Sequence, residues 1–362
     1  MSSIGDRVRE SLERLEPAPL QRDLAEQIGM TPDAFSRAIN GKRQFASIEL
    51  ALLAEAIGAD LHWLITGQPD PNRVSVAARH DFDHATGTRS VPGRDSDEQI
   101  LADIALAYRQ AYPEPAPGAE WPRSADSVRE ALGPDFVRPF ANLLEQKLAV
   151  GIVRVAELST AYSLTIGGRA VIAVPATGNW FRENWDISHE LGHLFRGDHE
   201  DGVSSAEADR REAAANAFAA ELLLPASLLE NIDWDSATDG QLADLVWTLG
   251  VSTDALCRRL RDILGNAPER VAYWATYATQ RLLRYHLPGD SELDKITLRM
   301  DAASQRRFPL ALQEAHLERV ASGAIGTATL AWMLGIDASA LEVDTPTIPE
   351  VSTDDLASAL GL

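Results

Sequence analysis

The segment DISHELGHLFRGDH, residues 186–199, places two histidines four residues apart with a glutamate directly after the first: His189, Glu190 and His193. No other feature constrains the fold as much, because this spacing has chemical meaning only on a helix. There, positions i and i+4 lie one turn apart on the same face, so both imidazoles point one way and Glu190 projects beside them. Two neutral imidazole nitrogens with a neighbouring carboxylate are what is needed to hold Zn2+ and to take a proton from water bound to it. The bland alternative is a pair of surface histidines on an amphipathic helix.

A zinc site needs a third ligand, and the sequence offers two main candidates. His199 follows His193 by six residues, the spacing of the extended zinc motif. That motif requires glycine where this chain has Arg196, and Gly197 comes one place late. The competitor is Glu212, in the helical run SSAEADRREAAANAFAAELLLP, with Asn216 one turn further on. Asn216 is placed to hydrogen-bond a ligating histidine and fix its tautomer. The alanines around it allow that helix to approach the first closely. Asp198, or no third protein ligand, is the remaining possibility, and the plain reading of Glu212 and Asn216 is a solvated helix face.

At 362 residues, with 45% apolar and 24% charged residues, the chain suits two or three globular domains. A net charge of -21 argues against wholesale coating of nucleic acid or of an anionic membrane, so any nucleic-acid site must be local. Cys257 is the single cysteine, which excludes an intrachain disulfide. The N-terminal residues lack a signal-peptide apolar run and no window is long and apolar enough to span a bilayer, so a cytoplasmic protein is expected.

The expected fold is mainly α with a small α+β part. Residues 1–68 read as a bundle of short helices, with Gly29, the Thr31-Pro32 pair and Gly41 at helix stops and caps. Residues 69–96 are polar and irregular and read as a linker. Residues 97–232 begin with helices, including SVREALGPDFVRPFANLLEQKLA. GIVRVAEL, AYSLTIGG and RAVIAVPA then read as three short strands, ahead of the two metal-site helices. Residues 233–362 read as helical, with a helix-turn-helix-like pair at 241–265 whose LVWTLGVSTDALCRRL echoes LAEQIGMTPDAFSRAI of residues 24–39.

HELGH followed by EAAANAFAAELLLP resembles the ImmA/IrrE family of metallo-endopeptidases, and RENWDIS, with Arg182 and Trp185, resembles the approach to its motif. The resemblance covers residues 97–265 and implies a zincin-like domain with His189, His193 and Glu212 as zinc ligands and Glu190 as general base. The chain departs from the pattern at Ala214, where members often carry a second glutamate. Arg182, Tyr162 and His199 are within reach of an oxyanion role, with a structural role the plainer reading of each, and no stabilising residue is assigned. Residues 4–67 are similar to the Xre/Cro-type DNA-binding domain, a lambda-repressor-like bundle. That likeness implies DNA contacts within residues 20–43, from Gln21, Thr31, Asp33, Ser36, Arg37, Asn40, Lys42 and Arg43. Segment 1–68 has seven basic and ten acidic residues, a net of -3, but residues 31–43 hold a local +2. The combined expectation is a zinc endopeptidase fused to a DNA-binding domain, with a transcriptional repressor as protein substrate. The alternative is a DNA-binding regulator whose metallopeptidase-like domain senses a metal or small ligand without cutting.

Overall fold

The computed structural model describes residues 3–13, 15, 19–68, 70, 74–78, 81–83, 88–90, 94–117, 121–198, 205–287 and 294–343. Five helices come first: α1 (Ile4–Glu13), α2 (Gln21–Gln27), α3 (Pro32–Ile39), α4 (Ser47–Ala56) and α5 (Leu61–Thr66). They enclose their own core, built around Val8, Leu24, Phe35, Leu53 and Leu64. The turn between α2 and α3 runs through Gly29 at φ 74°, and the Thr31 hydroxyl accepts the Ala34 N–H at 3.3 Å to start α3. Gly5 lets α1 lie on the end of α3, since a Cβ there would come within 2.2 Å of the Ile39 carbonyl oxygen. Buried Arg7 donates to the Leu64 and Ile65 carbonyls at 3.0 and 2.9 Å, which satisfies the last turn of α5.

The second part opens with β1 (Val74–Ala78) and the antiparallel pair β2 (Asp81–Asp83) and β3 (Thr88–Ser90), then α6 (Arg94–Ala111), α7 (Ala125–Leu132) and α8 (Phe140–Leu148). β4 (Val150–Val155), β5 (Tyr162–Ile166) and β6 (Arg169–Pro175) follow. They pair with β1 in a four-stranded sheet of order β1-β5-β6-β4, parallel between β4 and β6 and antiparallel elsewhere. Two expectations are corrected here. The segment read as an irregular linker supplies three strands, one of them the edge of the sheet; the alternation in Val74-Ser75-Val76 is strand-like, but polar flanks mask it. The long helix expected over SVREALGPDFVRPFANLLEQKLA is broken between α7 and α8 at Gly133, φ 86°, and Pro134.

The chain continues as α9 (Trp180–Arg196), α10 (Ser205–Leu223), α11 (Ala226–Leu229), α12 (Asp239–Leu249), α13 (Thr253–Leu264), α14 (Glu269–Ala275), α15 (Thr279–His286), α16 (Lys295–Ser304), α17 (Leu310–Ala321) and α18 (Ala328–Leu334). Alternate strand residues feed two cores. Ile152, Ala170 and Ile172 face a core shared by α7–α10 and by α12–α16, whereas Val153, Leu164 and Val171 face α6, α17 and α18. The boundary expected at 232/233 is therefore not a core boundary. Leu242, Val246, Leu256 and Leu260 of the echoed helix pair belong to the same core as Ile187 and Leu191 of α9, so in α12 and α13 the pattern serves packing. Buried Asp97 pins the start of α6 to the sheet by accepting the Ser159 N–H at 3.0 Å and the Tyr162 hydroxyl at 2.7 Å. No helix among the described residues is long and apolar enough to cross a membrane.

Candidate metal centre

α9 begins where Asn179 accepts the Arg182 N–H at 3.3 Å and ends at Gly197, φ 69°. It is buried along most of its length, with His189 and Glu190 at 0% and His193 at 3% exposure. Gly250 lets the α12–α13 turn seat against it: its carbonyl accepts Asn184 Nδ2 at 2.8 Å, and a Cβ there would lie 2.5 Å from that nitrogen. The closest approach is to α10. A Cβ on Gly192 would stand 3.1 Å from Ala215 Cα, so the glycine inside the motif and the alanines of α10 set the distance over which Glu212 reaches the histidines.

The structure brings His189, His193 and Glu212 together. Glu212 Oε2 lies 3.3 Å from His189 Nε2, Oε1 lies 3.5 Å from His193 Nε2, and the two Nε2 atoms are 3.1 Å apart. The candidate ligand atoms all fall within 4.8 Å of one another. Each imidazole is held from behind. His189 Nδ1 meets Asn216 Oδ1 at 3.2 Å, and His193 Nδ1 meets Asp198 Oδ2 at 3.1 Å. With a metal bound, protons on Nδ1 would donate to these oxygens and leave both Nε2 lone pairs free to ligate; without one, Nε2 is the atom that meets Glu212. Asp198 is itself fixed by Arg196 Nε at 3.0 Å and Arg211 Nε at 3.7 Å. His199 lies outside the described residues, and Asp198 serves the outer side of His193 rather than the ligand side.

The electrostatics favour a cation at this point. Burial raises the Glu212 carboxyl, but hydrogen bonds from His189 and His193 outweigh it and hold the group well below the usual carboxylate range. Burial lowers His193, and Glu212, Glu190 and Asp198 together bring it above its ordinary value. Glu190 behaves differently: burial pushes its carboxyl up, only partly offset by His189 and His193. Both its oxygens are buried with no hydrogen bond of ordinary geometry, and Ser163 Oγ of β5, equally without one, lies close enough to lower the carboxyl in part. A buried carboxylate without partners is costly unless something in the site uses it. Two imidazole nitrogens and one carboxylate oxygen are a donor set suited to zinc, with room left for water and substrate.

A cleft of about 660 Å³ opens between α9, α10 and the start of α13, lined by Phe181, Arg182, Trp185, Asn216 and Val251 among others. It borders Asn216, on the outer side of His189, and none of His189, Glu190, His193 and Glu212 lines it. Arg182 lies there, 3.4 Å from Asp186. Tyr162 is not available to the site, because its hydroxyl is spent on Asp97. Sequence reasoning missed Asp198 as the support of His193, and missed Ser163. The signal for Asp198 was Gly197, whose left-handed turn folds the next residue back onto the last turn of α9, where the Asp198 N–H meets the His193 carbonyl at 3.1 Å.

In the N-terminal bundle, Gln21, Asp33, Ser36, Arg37, Asn40 and Lys42 are exposed, while Thr31 caps α3. The local +2 is largely spent. Arg43 is partly buried and bonds Glu49 through both nitrogens at 2.9 and 2.7 Å, and Arg37 lies 3.8 Å from Asp33.

A histidine pair on one helix, a glutamate from the next and an orphaned carboxylate between them define a metallopeptidase-like site. Residues 151–261 match the family model Peptidase M78, described as the IrrE N-terminal-like domain. The match includes His189, Glu190, His193 and Glu212, and supports the ImmA/IrrE family for this part of the chain. No curated protein and no solved structure matches the chain.

Proposed function

We propose that the chain is a cytoplasmic zinc-dependent endopeptidase fused to a DNA-binding domain, and that it cleaves a transcriptional repressor to switch on stress-response or mobile-element genes. The observation that carries the peptidase reading is the convergence of His189, His193 and Glu212 beside a buried Glu190 with both oxygens unpartnered. Zinc on those three side chains supplies a Lewis acid that polarises a carbonyl and acidifies water. Glu190 takes the proton from the attacking water and passes it to the leaving amide nitrogen, and its raised pKa suits a group that must do both. Asn216 and Asp198 keep the imidazoles in the orientation and tautomer that ligation needs. In the N-terminal bundle, α3 enters the major groove and Gln21, Asp33, Ser36, Arg37, Asn40 and Lys42 contact DNA.

Metal analysis of purified wild type, Glu190→Gln and Glu212→Ala, paired with cleavage of co-expressed repressors, tests this reading. Stoichiometric zinc is expected in wild type and Glu190→Gln and is lost in Glu212→Ala, and only wild type cuts. Undiminished cleavage by Glu190→Gln would falsify the mechanism. A second reading, a regulator that senses a metal or small ligand without cutting, is favoured by an arginine-lined pocket on the opposite face of α9.

A further inference from the structure

Residues Trp180, Glu183 and Asn184 of α9 face away from the metal centre and line a pocket of about 190 Å³. The start of α8, Arg154 of β4, Arg299 of α16 and Arg307 complete it, so with Arg138 four guanidinium groups surround one small space. In a chain of net charge -21 that concentration needs a reason.

Two of the four are neutralised. Arg154 pairs with Glu183 through two nitrogens, one bond at 2.9 Å, and Arg307 pairs with Glu145 at 2.6 and 2.9 Å. The other two are not. Arg299 lies over the Trp180 and Trp247 rings, 5.2 and 5.1 Å from their centroids, and reaches only the Trp247 and Val137 carbonyls at 3.5 and 3.4 Å. Among the described residues no carboxylate pairs with Arg299 or with exposed Arg138. Burial, and then the charge of Arg138, bring Arg299 down to about 10, so these two cations act on each other.

Neutral donors are present as well. Trp180 is 3% exposed and its Nε1 is buried without a partner. α8 begins at the pocket with Pro139 at its N-cap and no side-chain cap, which leaves first-turn N–H groups at Ala141 and Asn142 without intrahelical acceptors. Two guanidiniums without a carboxylate partner, one of them held only by long bonds to carbonyls, stand beside an orphaned indole N–H and an uncapped helix start.

We propose that this pocket binds a phosphate group, either free phosphate or the phosphate of a small metabolite. A dianion offsets both cations that lack a carboxylate, and its several oxygens match the fork of donors that guanidinium presents. The volume admits a phosphate with a short carbon chain. The inference does not depend on the peptidase reading, since no residue of the pocket touches the histidine pair.

Calorimetric titration of the full chain with sodium phosphate, glycerol phosphate and malonate at constant ionic strength tests it. Wild type is expected to bind phosphate saturably, with the Kd raised at least tenfold by Arg138→Ala and by Arg299→Gln and unchanged by Arg284→Ala. Arg138 is exposed, so its variant keeps the test valid if Arg299→Gln unfolds. Tighter binding of glycerol phosphate than of phosphate assigns the site to a metabolite, and equal or weaker binding assigns it to the free ion. Absence of saturable binding, phosphate binding indifferent to Arg138→Ala, or binding of malonate alone would each overturn the proposal.

Discussion

Adding one methyl group to the metal helix, Gly192→Ala, separates the packing of α9 and α10 from the chemistry they carry. The new Cβ would stand 3.1 Å from Ala215 Cα, 3.4 Å from the Ala215 carbonyl oxygen and 3.4 Å from Phe218 Cβ. Carbon pairs settle at about 3.5–4.0 Å, so α10 must back away by a few tenths of an ångström. Two opposing terms decide stability. Alanine is favoured over glycine inside a helix by about 1 kcal/mol, and overpacking a filled core costs about 1–3 kcal/mol. The net result lies between no change and a loss of about 2 kcal/mol, so the protein stays folded. The metal site is less forgiving, because ligand distances tolerate only about 0.2 Å. The retreat of α10 carries Glu212 and Asn216 away from both histidines. Zinc affinity is expected to fall about 10–100-fold, as when the support of a ligand is lost. Competition with a fluorescent chelator measures the affinity, and urea denaturation in excess chelator measures the metal-free fold. Adding Ala215→Gly does not rescue, because the tightest contacts are to Ala215 backbone atoms. Wild-type zinc affinity in Gly192→Ala would refute the argument and show that the helix crossing has slack.

Asn216→Ala and Asp198→Ala are each expected to weaken zinc binding about 10–100-fold with little effect on the metal-free fold; unchanged affinity in the chelator assay would remove their positioning roles. Asp239 accepts from Arg270 at 2.7 Å and from Trp274 Nε1 at 2.9 Å; burial raises its carboxyl, but these partners hold it below its ordinary value. Its stabilisation is therefore present above the unfolded-state pKa and fades as pH falls through the lower folded one. Asp239→Asn should cost about 1 kcal/mol at neutral pH, and urea midpoints of the two proteins should converge below about pH 4; a gap constant with pH would contradict this. Lys42→Ala should lower DNA affinity and reduce the salt slope by about one, whereas Arg43→Ala, which breaks the pair with Glu49, should lower the bundle's melting temperature instead; the reverse pattern would misplace the DNA face.

The metal helix was readable because its chemistry and its periodicity occupy the same few residues. The histidine spacing and the glutamate between the two are both local. Glu212 could be weighed against His199 for the same reason: an alanine-rich helix advertises close packing. What stayed hidden depends on contacts between distant segments. β1 looks like linker because its five residues sit between polar stretches, and only pairing with β5 makes it a strand. The C-terminal helices read as a separate region because periodicity shows that a face is apolar, not which core receives it. The positive count at residues 31–43 overstates the local field in a related way, since Arg43 finds Glu49 six residues further along the chain. The arginine pocket, assembled from positions 138 to 307, has no sequence signature at all.

The sheet behind α9 is bracketed by segments from outside residues 151–261. On one side Val74–Ala78 covers β5. On the other, Arg154 and Arg307 exchange backbone hydrogen bonds at 2.8 Å each way across the outer edge of β4. Cut out at residues 151 and 261, that stretch would keep His189, His193 and Glu212 but present two open strand edges, each a template for another copy of itself. The metallopeptidase-like module is thus portable only with its brackets: a gene fusion or trimmed fragment that discards them should give aggregates rather than a smaller folded unit.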